Sequence, residues 1–216
     1  MESGKWAHHL ICPLFIGFNG MNLLPVILEG EFVRLEPMAL EHLDALWEAG
    51  GDDSLWRLNP MTVASRDDMQ RYIETALADR DRGIALPFVT IERVSGKVIG
   101  STRFGNIDVN NLRAEIGWTW INPAWQRTAV NTGAKLLMLT HAFEVWRCIR
   151  VELKTDVLND RSRNAILRLG AKEEGVFRNH VICDTGRFRD SIYFSIIDTE
   201  WESVKANLTS KLTAAS

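Results

Sequence analysis

The chain has 216 residues, of which 46% are apolar and 25% are charged, and its formal net charge is −3. This length and composition predict one globular domain, with or without terminal extensions. The slightly acidic balance excludes a basic field that would hold nucleic acid non-specifically, so we expect no nucleic-acid partner.

The first twenty residues differ in character from the rest. An apolar run from Leu10 to Phe18 follows Lys5 and superficially resembles a short signal peptide. The run lacks a clear small-x-small cleavage site and is too short to cross a bilayer. We therefore expect residues 1–20 to form an arm-like or disordered N-terminal extension, residues 21–216 to form a single domain, and no membrane to be involved.

The predicted elements of the N-terminal half are a strand, two helices, two strands joined by a tight turn, and a third strand. Ser65 is a typical N-cap followed by acidic residues, so it should begin the second helix. The predicted ranges are Glu31–Met38, Leu40–Gly50, Ser65–Gly83, Pro87–Val94, Lys97–Phe104 and Arg113–Ile121.

The C-terminal half predicts a long helix, a strand, a helix closed by Gly170, a hairpin turning at Asp184-Thr185-Gly186, and a weakly helical tail. These ranges are Thr132–Arg147, Ile149–Thr155, Asp160–Leu169, Val176–Ile182, Phe188–Ile197 and Glu200–Leu212. The whole order predicts one layered α/β domain of mixed α+β type. Its active crevice should lie where neighbouring strands diverge.

Three cysteines, Cys12, Cys148 and Cys183, lie far apart in the sequence. Their number and spacing indicate neither a disulfide framework nor a metal site, which favours a reducing cytoplasm. Cys148 has apolar neighbours, so we expect it to be a buried apolar residue.

The segment from Glu115 to Ala134 is the most informative part of the sequence. A β-type run stops at Pro123, passes through a short polar loop, and enters the long helix near Thr132. A helix N-terminus after such a loop presents several unpaired backbone N–H groups to one point, which suits a phosphate. The segment therefore predicts a phosphate-bearing cofactor or substrate.

Three motifs follow one another over about sixty residues. They are Arg113-Ala-Glu-Ile-Gly-Trp with Ile121-Asn-Pro, the loop Gln126–Asn131, and the segment from Asn159 to Gly175. Together with the element order, they resemble the GCN5-related N-acetyltransferase (GNAT) superfamily, and within it the ribosomal-protein N-terminal acetyltransferases of the RimJ/RimL type. The resemblance covers about residues 29–200.

The resemblance implies a GNAT-type, mostly antiparallel twisted sheet of about seven strands, with a splay between strands 4 and 5 and about four flanking helices. It also implies acetyl-CoA as the cofactor, no metal, and direct attack by a primary amine in a ternary complex. The acceptor is then a protein N-terminus or a small molecule, and the protein forms a homodimer or higher homo-oligomer. Another acyl-CoA or acceptor atom, or a CoA-binding regulatory module without turnover, remains an alternative.

The family loop reads Gln/Arg-x-x-Gly-x-Gly/Ala, and Gln126 fits its first position. The two small positions hold Ala129 and Asn131, although glycine allows the closest backbone approach to an anion. Ala129 is tolerable at negative φ, and Asn131 either adopts the left-handed conformation or caps the helix. This departure is what keeps the regulatory alternative open.

The resemblance assigns cofactor contacts to the strand end, the loop and the next helix start. Loop amides hold the pyrophosphate, amides near Trp120–Asn122 polarise the thioester carbonyl, and Asn159 holds the pantetheine or caps its helix. Trp118, Trp120 and Trp125 line the channel or pack in the core. The cofactor-binding candidates are Trp120, Ile121, Asn122, Gln126, Arg127, Thr128, Ala129, Val130, Asn131, Thr132, Asn159, Ser162 and Arg163.

Two residues are candidates for catalysis. Glu115, on a central strand ahead of the splay, is the candidate base, and its alternative role is an ion pair with Arg113, Arg103 or another cation. Ser162 matches the serine that the family assigns to leaving-group protonation, and its alternative role is a helix cap.

Acceptor selection is expected from segments 47–61 and 178–187. Trp56 is a candidate to pack over an ammonium, with Asp52 and Asp53 as attracting carboxylates, although a solvated loop is the alternative. On the final hairpin, Tyr193 is a secondary donor candidate and His180 a candidate to approach the acceptor.

Overall fold

A computed structural model describes residues 21–214, so the predictions for residues 1–20, including Cys12, lie outside the described residues. These residues form one eight-stranded sheet and five α-helices. The strands are β1 (Leu28–Glu29), β2 (Val33–Pro37), β3 (Leu86–Glu92), β4 (Val98–Asp108), β5 (Arg113–Ile121), β6 (Arg150–Asp156), β7 (Lys172–Ile182) and β8 (Phe188–Ile197). The helices are α1 (Leu43–Gly50), α2 (Arg66–Asp81), α3 (Ala129–Thr140), α4 (Asp160–Leu169) and α5 (Trp201–Thr213).

The strand order is β1-β2-β3-β4-β5-β6-β8-β7, and within the described chain only the β5–β6 pair is parallel. That pair is hydrogen-bonded only from Arg113–Glu115 to Arg150–Glu152, after which the two strands separate. The predicted fold class and its splay are confirmed. The sheet has one strand more than predicted because β1 is added, so β5 and β6 are strands 4 and 5 of the prediction.

The sheet separates two apolar cores. Side chains of α3, α4 and α5 pack on one face, called here the α3 face, and those of α1 and α2 pack on the other, the α1–α2 face. Met138 belongs to the first core, and Tyr72 to the second. Any group bound between β5 and β6 would therefore connect the two faces of the sheet.

Most predicted boundaries agree with the structure to within a few residues. Ser65 Oγ accepts the N–H of Asp68 at 3.1 Å, which confirms it as the cap of α2. Gly186 has φ 79° and donates to Cys183 O at 2.8 Å in the predicted hairpin turn. The tail is helical as expected, and forms α5.

Cys148 is buried, as predicted, and burial raises the pKa of its thiol to about 12. The thiol therefore stays protonated at neutral pH, and Cys148 behaves as a small apolar residue of the core.

Candidate active site

A β-bulge at Trp118 shapes the edge of β5 where the splay opens. The register between β4 and β5 shifts between Ser101 and Arg103, and Trp118 has a φ of 49°. A positive φ is an outlier for an aromatic residue, and a bulge re-aims the side chains that follow it. Glu115, before the bulge, and Trp118, at the bulge, both lie on the α1–α2 face, whereas Thr119, which follows the bulge, contacts α3.

Beyond the bulge, one edge of β5 is not paired with any strand of residues 21–214. Asn122 N–H is bonded to Ile99 O at 2.8 Å, on the β4 side. Because successive residues of a strand direct their N–H groups to opposite edges, those of Thr119 and Ile121 are directed toward the splay. In the predicted 120–122 segment, the N–H of Asn122 is therefore already occupied. Thr119 was not among the predicted residues, because no local pattern marks it.

The tryptophans divide between cleft and core. The Trp118 ring lies 5.0 Å from the guanidinium of Arg103 and 5.6 Å from Lys154 Nζ, and the residue is 36% exposed. A side chain at Gly105 would overlap this ring, so glycine there leaves room for it. The indole of Trp120 is instead buried, which leaves Trp118 as the tryptophan of the cleft on this face.

Trp56 is also a core residue. Its ring packs against Tyr72 and Trp120, and its Nε1 donates to Gly50 O at 2.8 Å. The prediction that Trp56 packs over an acceptor ammonium is therefore wrong, because the ring is enclosed by the α1–α2 core. Asp52 accepts the N–H of Ser54 at 2.8 Å and caps a short 3₁₀ turn.

Glu115 is a buried carboxylate with one oxygen engaged. It is 2% exposed, and its Oε2 accepts from Asn106 Nδ2 and from Lys154 Nζ, both at 2.8 Å. Its ion-pair partner is thus Lys154, one of the other cations that the sequence left open. Within the described chain Oε1 accepts no hydrogen bond, and it lies where a Cβ at Gly117 would be only 2.9 Å away. One oxygen therefore remains available to a proton on this face.

Aromatic residues of the β7–β8 hairpin stand beside Lys154. Its Nζ lies 5.5 Å from the Tyr193 ring, which packs against His180 and Phe177. Tyr193 Oη and His180 Nε2 are 3.4 Å apart. Burial, followed by the nearby positive charges of Lys154 and Arg189, lowers the pKa of His180. The two predicted hairpin residues thus stand with Glu115 on the α1–α2 face.

The first turn of α3 includes three residues that the sequence assigned to a loop. The helix begins at Ala129 rather than at Thr132, and Thr128 is its N-cap, with Oγ1 accepting from Val130 N–H at 3.4 Å. The left-handed residue is Arg127, with φ 64°, so the prediction of a left-handed or capping Asn131 is wrong. Because Ala129 and Asn131 are helical, glycine is not required at either position.

A groove of about 550 Å³ adjoins this turn. Its lining includes the cations Arg127, Arg168 and Lys211, contributed by the loop, α4 and α5. Arg168 Nη2 donates to Thr132 Oγ1 at 2.9 Å, and Lys211 Nζ donates to Arg168 O at 2.8 Å. The groove combines a helix N-terminus with three cations and one carboxylate, that of Glu92, so its charge is net positive and suits an anion. Arg168 and Lys211 were not predicted as site residues, because nothing in the local sequence relates them to the loop.

The N-terminus of α4 completes the other wall of the cleft. Asn159 is its N-cap, and its Oδ1 accepts the N–H of Ser162 at 3.0 Å. The alternative prediction that Ser162 caps this helix is therefore wrong. The alternative prediction that Asn159 caps it is confirmed. Arg163 pairs with Glu173 at 2.9 Å, while Arg161 Nη1 donates to Gln126 Oε1 at 2.6 Å.

We expect Asn159→Ala to lower the free energy of unfolding by about 1 kcal/mol, as for loss of other N-caps. Ser162→Ala removes no cap, so its free energy of unfolding should stay within about 0.5 kcal/mol of the wild-type value. Urea denaturation of both variants checks this. Equal losses in the two variants would contradict the assignment of the cap to Asn159.

Within residues 21–214 there is no cluster of three or more His, Cys, Asp or Glu side chains able to hold a metal ion. Across the same residues, none of the helices has the length and apolar character needed to cross a membrane.

Residues 33–172 match the acetyltransferase (GNAT) domain family. The chain belongs to the GNAT family. A crystal structure of a GCN5-related N-acetyltransferase from Brucella melitensis superposes with a TM-score of 0.81 and 31% identity, over 88% of this chain and 90% of that one. The family predicted from the motifs is therefore confirmed by sequence and by fold.

Two further similar proteins belong to the RimJ-like branch by their names. A Bacillus subtilis (strain 168) protein named "Putative ribosomal N-acetyltransferase YdaF" is 34% identical over 110 residues, which are 51% of this GNAT chain and 59% of that protein. The match thus spans less than two thirds of that relative. Mycobacterium smegmatis RimJ in complex with CoA-disulfide has a TM-score of 0.72 and 23% identity, over 87% and 92% of the two chains, and supports the fold alone.

Proposed function

We propose that this protein transfers the acetyl group of acetyl-CoA to the primary amine of an acceptor, by direct attack in a ternary complex. The observation that carries the proposal is the splay of β5 from β6 after only three paired residues, with the bulge at Trp118 and the first turn of α3 at its edge. Acetyl-CoA supplies an activated acyl group as a thioester, and the protein supplies binding, orientation and proton transfer.

The residues present fit this cofactor. The first turn of α3 and the cations Arg127, Arg168 and Lys211 match the negative charge of its phosphates. The N–H groups of Thr119 and Ile121 match an amide-rich pantetheine arm, which pairs with a free strand edge as an added strand. Gln126 links the end of β5 to α4, since it donates to Ile121 O and accepts from Arg161.

We propose that the acceptor amine binds on the α1–α2 face. There Glu115 Oε1 is the group available to take a proton from the attacking amine, directly or through water. Tyr193 and His180 border the same space from the hairpin. The acceptor is a protein N-terminus or a small amine, the former in line with the printed name of the Bacillus subtilis relative. Cytoplasmic location and homo-oligomerisation remain predictions from the sequence.

We expect Arg168→Glu to raise the Kd for CoA by roughly 10–100-fold, because a hydrogen bond to a charged group contributes about 1.5–3 kcal/mol. The effect should diminish at high ionic strength, since the groove is open to solvent. Isothermal titration at low and high salt measures it. Arg66→Glu, an equal charge change at an exposed position of α2, is the matched control, and equal losses in both variants would contradict the role of the groove.

Two assays test the proposed function. CoA at a hundred times its Kd should stabilise the protein by about 2.7 kcal/mol, visible as a thermal shift. Thiol release from acetyl-CoA should then appear with at least one amine from a panel of peptides with free N-termini, amino acids and polyamines. N-terminally blocked peptides without lysine are the matched control. Absence of a shift at millimolar CoA overturns the proposal, and a shift without thiol release favours a regulatory CoA-binding module.

A further inference from the structure

Lys135, on α3, is a buried ammonium to which the described residues supply no counter-ion. It is 5% exposed, and its Nζ donates to Thr119 Oγ1 at 2.7 Å and to Thr102 Oγ1 at 3.2 Å. No carboxylate within residues 21–214 pairs with it, and desolvation is the one cause that shifts its pKa. Burying an unpaired charge is costly. A cation kept at such a cost suits a place where negative charge develops during a reaction.

The position of Thr119 supplies that place. Thr119 directly follows the bulge at Trp118, is exposed, and belongs to the part of β5 from which β6 has separated. Its hydroxyl therefore stands between the buried ammonium and the cleft. The α3 face, on which this hydroxyl lies, is also the face of the phosphate groove, whereas Glu115 lies on the opposite face.

The hydroxyls around Lys135 are arranged to pass a proton. Thr119 Oγ1 is 2.7 Å from Thr102 Oγ1 and 3.3 Å from Gly117 O. A hydroxyl accepts from an ammonium while donating its own hydrogen elsewhere, so it can relay a proton without becoming charged. Burial lowers the pKa of Lys135 to about 7, which makes its proton easier to release.

We propose that Lys135, acting through the Thr119 hydroxyl, supplies the proton that the CoA sulfur takes up when the thioester bond breaks. This inference rests on the proposed acetyl transfer. As the new carbon–nitrogen bond forms, the carbon–sulfur bond breaks and its electron pair goes to sulfur. The Thr119 hydrogen passes to sulfur, a Lys135 proton passes to Thr119 Oγ1, and Lys135 is left as a neutral amine. The proton lost by the acceptor amine leaves through Glu115, and Lys135 regains a proton from solvent through the cleft.

The surroundings of Lys135 contain few other groups that titrate near neutral pH. β4 contributes the hydroxyl of Thr102, β5 that of Thr119, and α3 itself the sulfur of Met138, at 3.6 Å from Thr102 Oγ1. A cation from another helix, Arg168 on α4, is bonded to Thr132 one turn earlier on α3. A change in the thiol titration on removal of the Lys135 amine can therefore be assigned to Lys135. In this scheme Lys135 is a positioning residue, and Thr119 is the group that touches the sulfur.

The test uses CoA itself and requires no acceptor. The thiolate of bound CoA is titrated from pH 6 to 10 by its ultraviolet absorbance, with desulfo-CoA as the blank, in wild type, Lys135→Met, Thr119→Val and Thr119→Ser. At pH 6–7, where Lys135 is still largely protonated, its ammonium acting through one hydroxyl should lower the pKa of the bound thiol by about one unit, so that roughly ten times more thiolate forms than in free CoA at the same pH. Above pH 7 this excess of thiolate should fade as Lys135 loses its proton. Lys135→Met and Thr119→Val should each abolish this shift, and Thr119→Ser should retain it.

Three results would overturn the inference: no shift in the wild type, a shift that persists in Lys135→Met, or its loss in Thr119→Ser. If Lys135→Met does not fold, Thr119→Val decides alone, since it keeps the lysine and the shape of the threonine. Failure of CoA to bind the wild type at all would instead refute the proposed function. Binding and turnover with an unshifted thiol would refute only the role of Lys135.

Discussion

Glu115→Gln should lower kcat by about 10²–10⁴-fold, the usual contribution of a general base, while the Kd for CoA stays unchanged. The amide has nearly the same shape and still accepts a hydrogen bond from Asn106, but it cannot take a proton from the attacking amine. Single-turnover acetyl transfer to the best amine of the panel measures the chemical step directly.

The ion pair with Lys154 complicates this test, because loss of one partner leaves a partly buried charge unpaired. The double variant Glu115→Gln/Lys154→Met removes both partners and should recover most of any stability lost in the single variant. Its rate should remain as low as that of Glu115→Gln. Recovery of the rate together with the stability would show that Glu115 serves only to balance Lys154.

Much of the fold follows from local sequence patterns. Alternation of apolar residues predicts most of the strands, and Ser65 and Gly186 mark a helix start and a hairpin turn by their own chemistry. The order of elements then leads to the family, and the family to the splay. Glu115 and the start of α4 were found in this way because their motifs lie within continuous segments.

Other parts of the site depend on contacts between distant segments. The bulge at Trp118 needs the space left by Gly105 on the neighbouring strand, and no local pattern predicts such a pairing. Arg168 and Lys211 meet the start of α3 only after α4 and α5 pack against it. Lys135 looks like an ordinary polar residue of an amphipathic helix until the burial of its amine is known.

Lys135→Met should stabilise the protein at pH 6–7 and lose this advantage as the pH rises toward 10. The pKa of Lys135 is about 7 in the folded chain, against an ordinary value of 10.5. Between these values the unfolded chain binds more protons than the folded chain, so the wild type gains stability with rising pH. Below pH 7, Lys135 is protonated in both the folded and the unfolded chain. The buried charge then lowers the free energy of unfolding of the wild type by its full amount, on the order of 5 kcal/mol at most.

Methionine suits the site because it is apolar and adaptable, and Thr102 and Thr119 still bond to each other at 2.7 Å without the amine. Urea denaturation of both proteins at each pH gives the difference in unfolding free energy. Lys205→Met is the matched control, since the pKa of exposed Lys205 is raised by its bond to Glu144 and its contribution is constant below about pH 10. A flat difference for Lys135→Met would mean that its ammonium is solvated or paired. A difference that falls as the pH rises would mean that the buried ammonium of Lys135 destabilises the fold. A residue needed only for packing at this position beside the cleft would have been apolar.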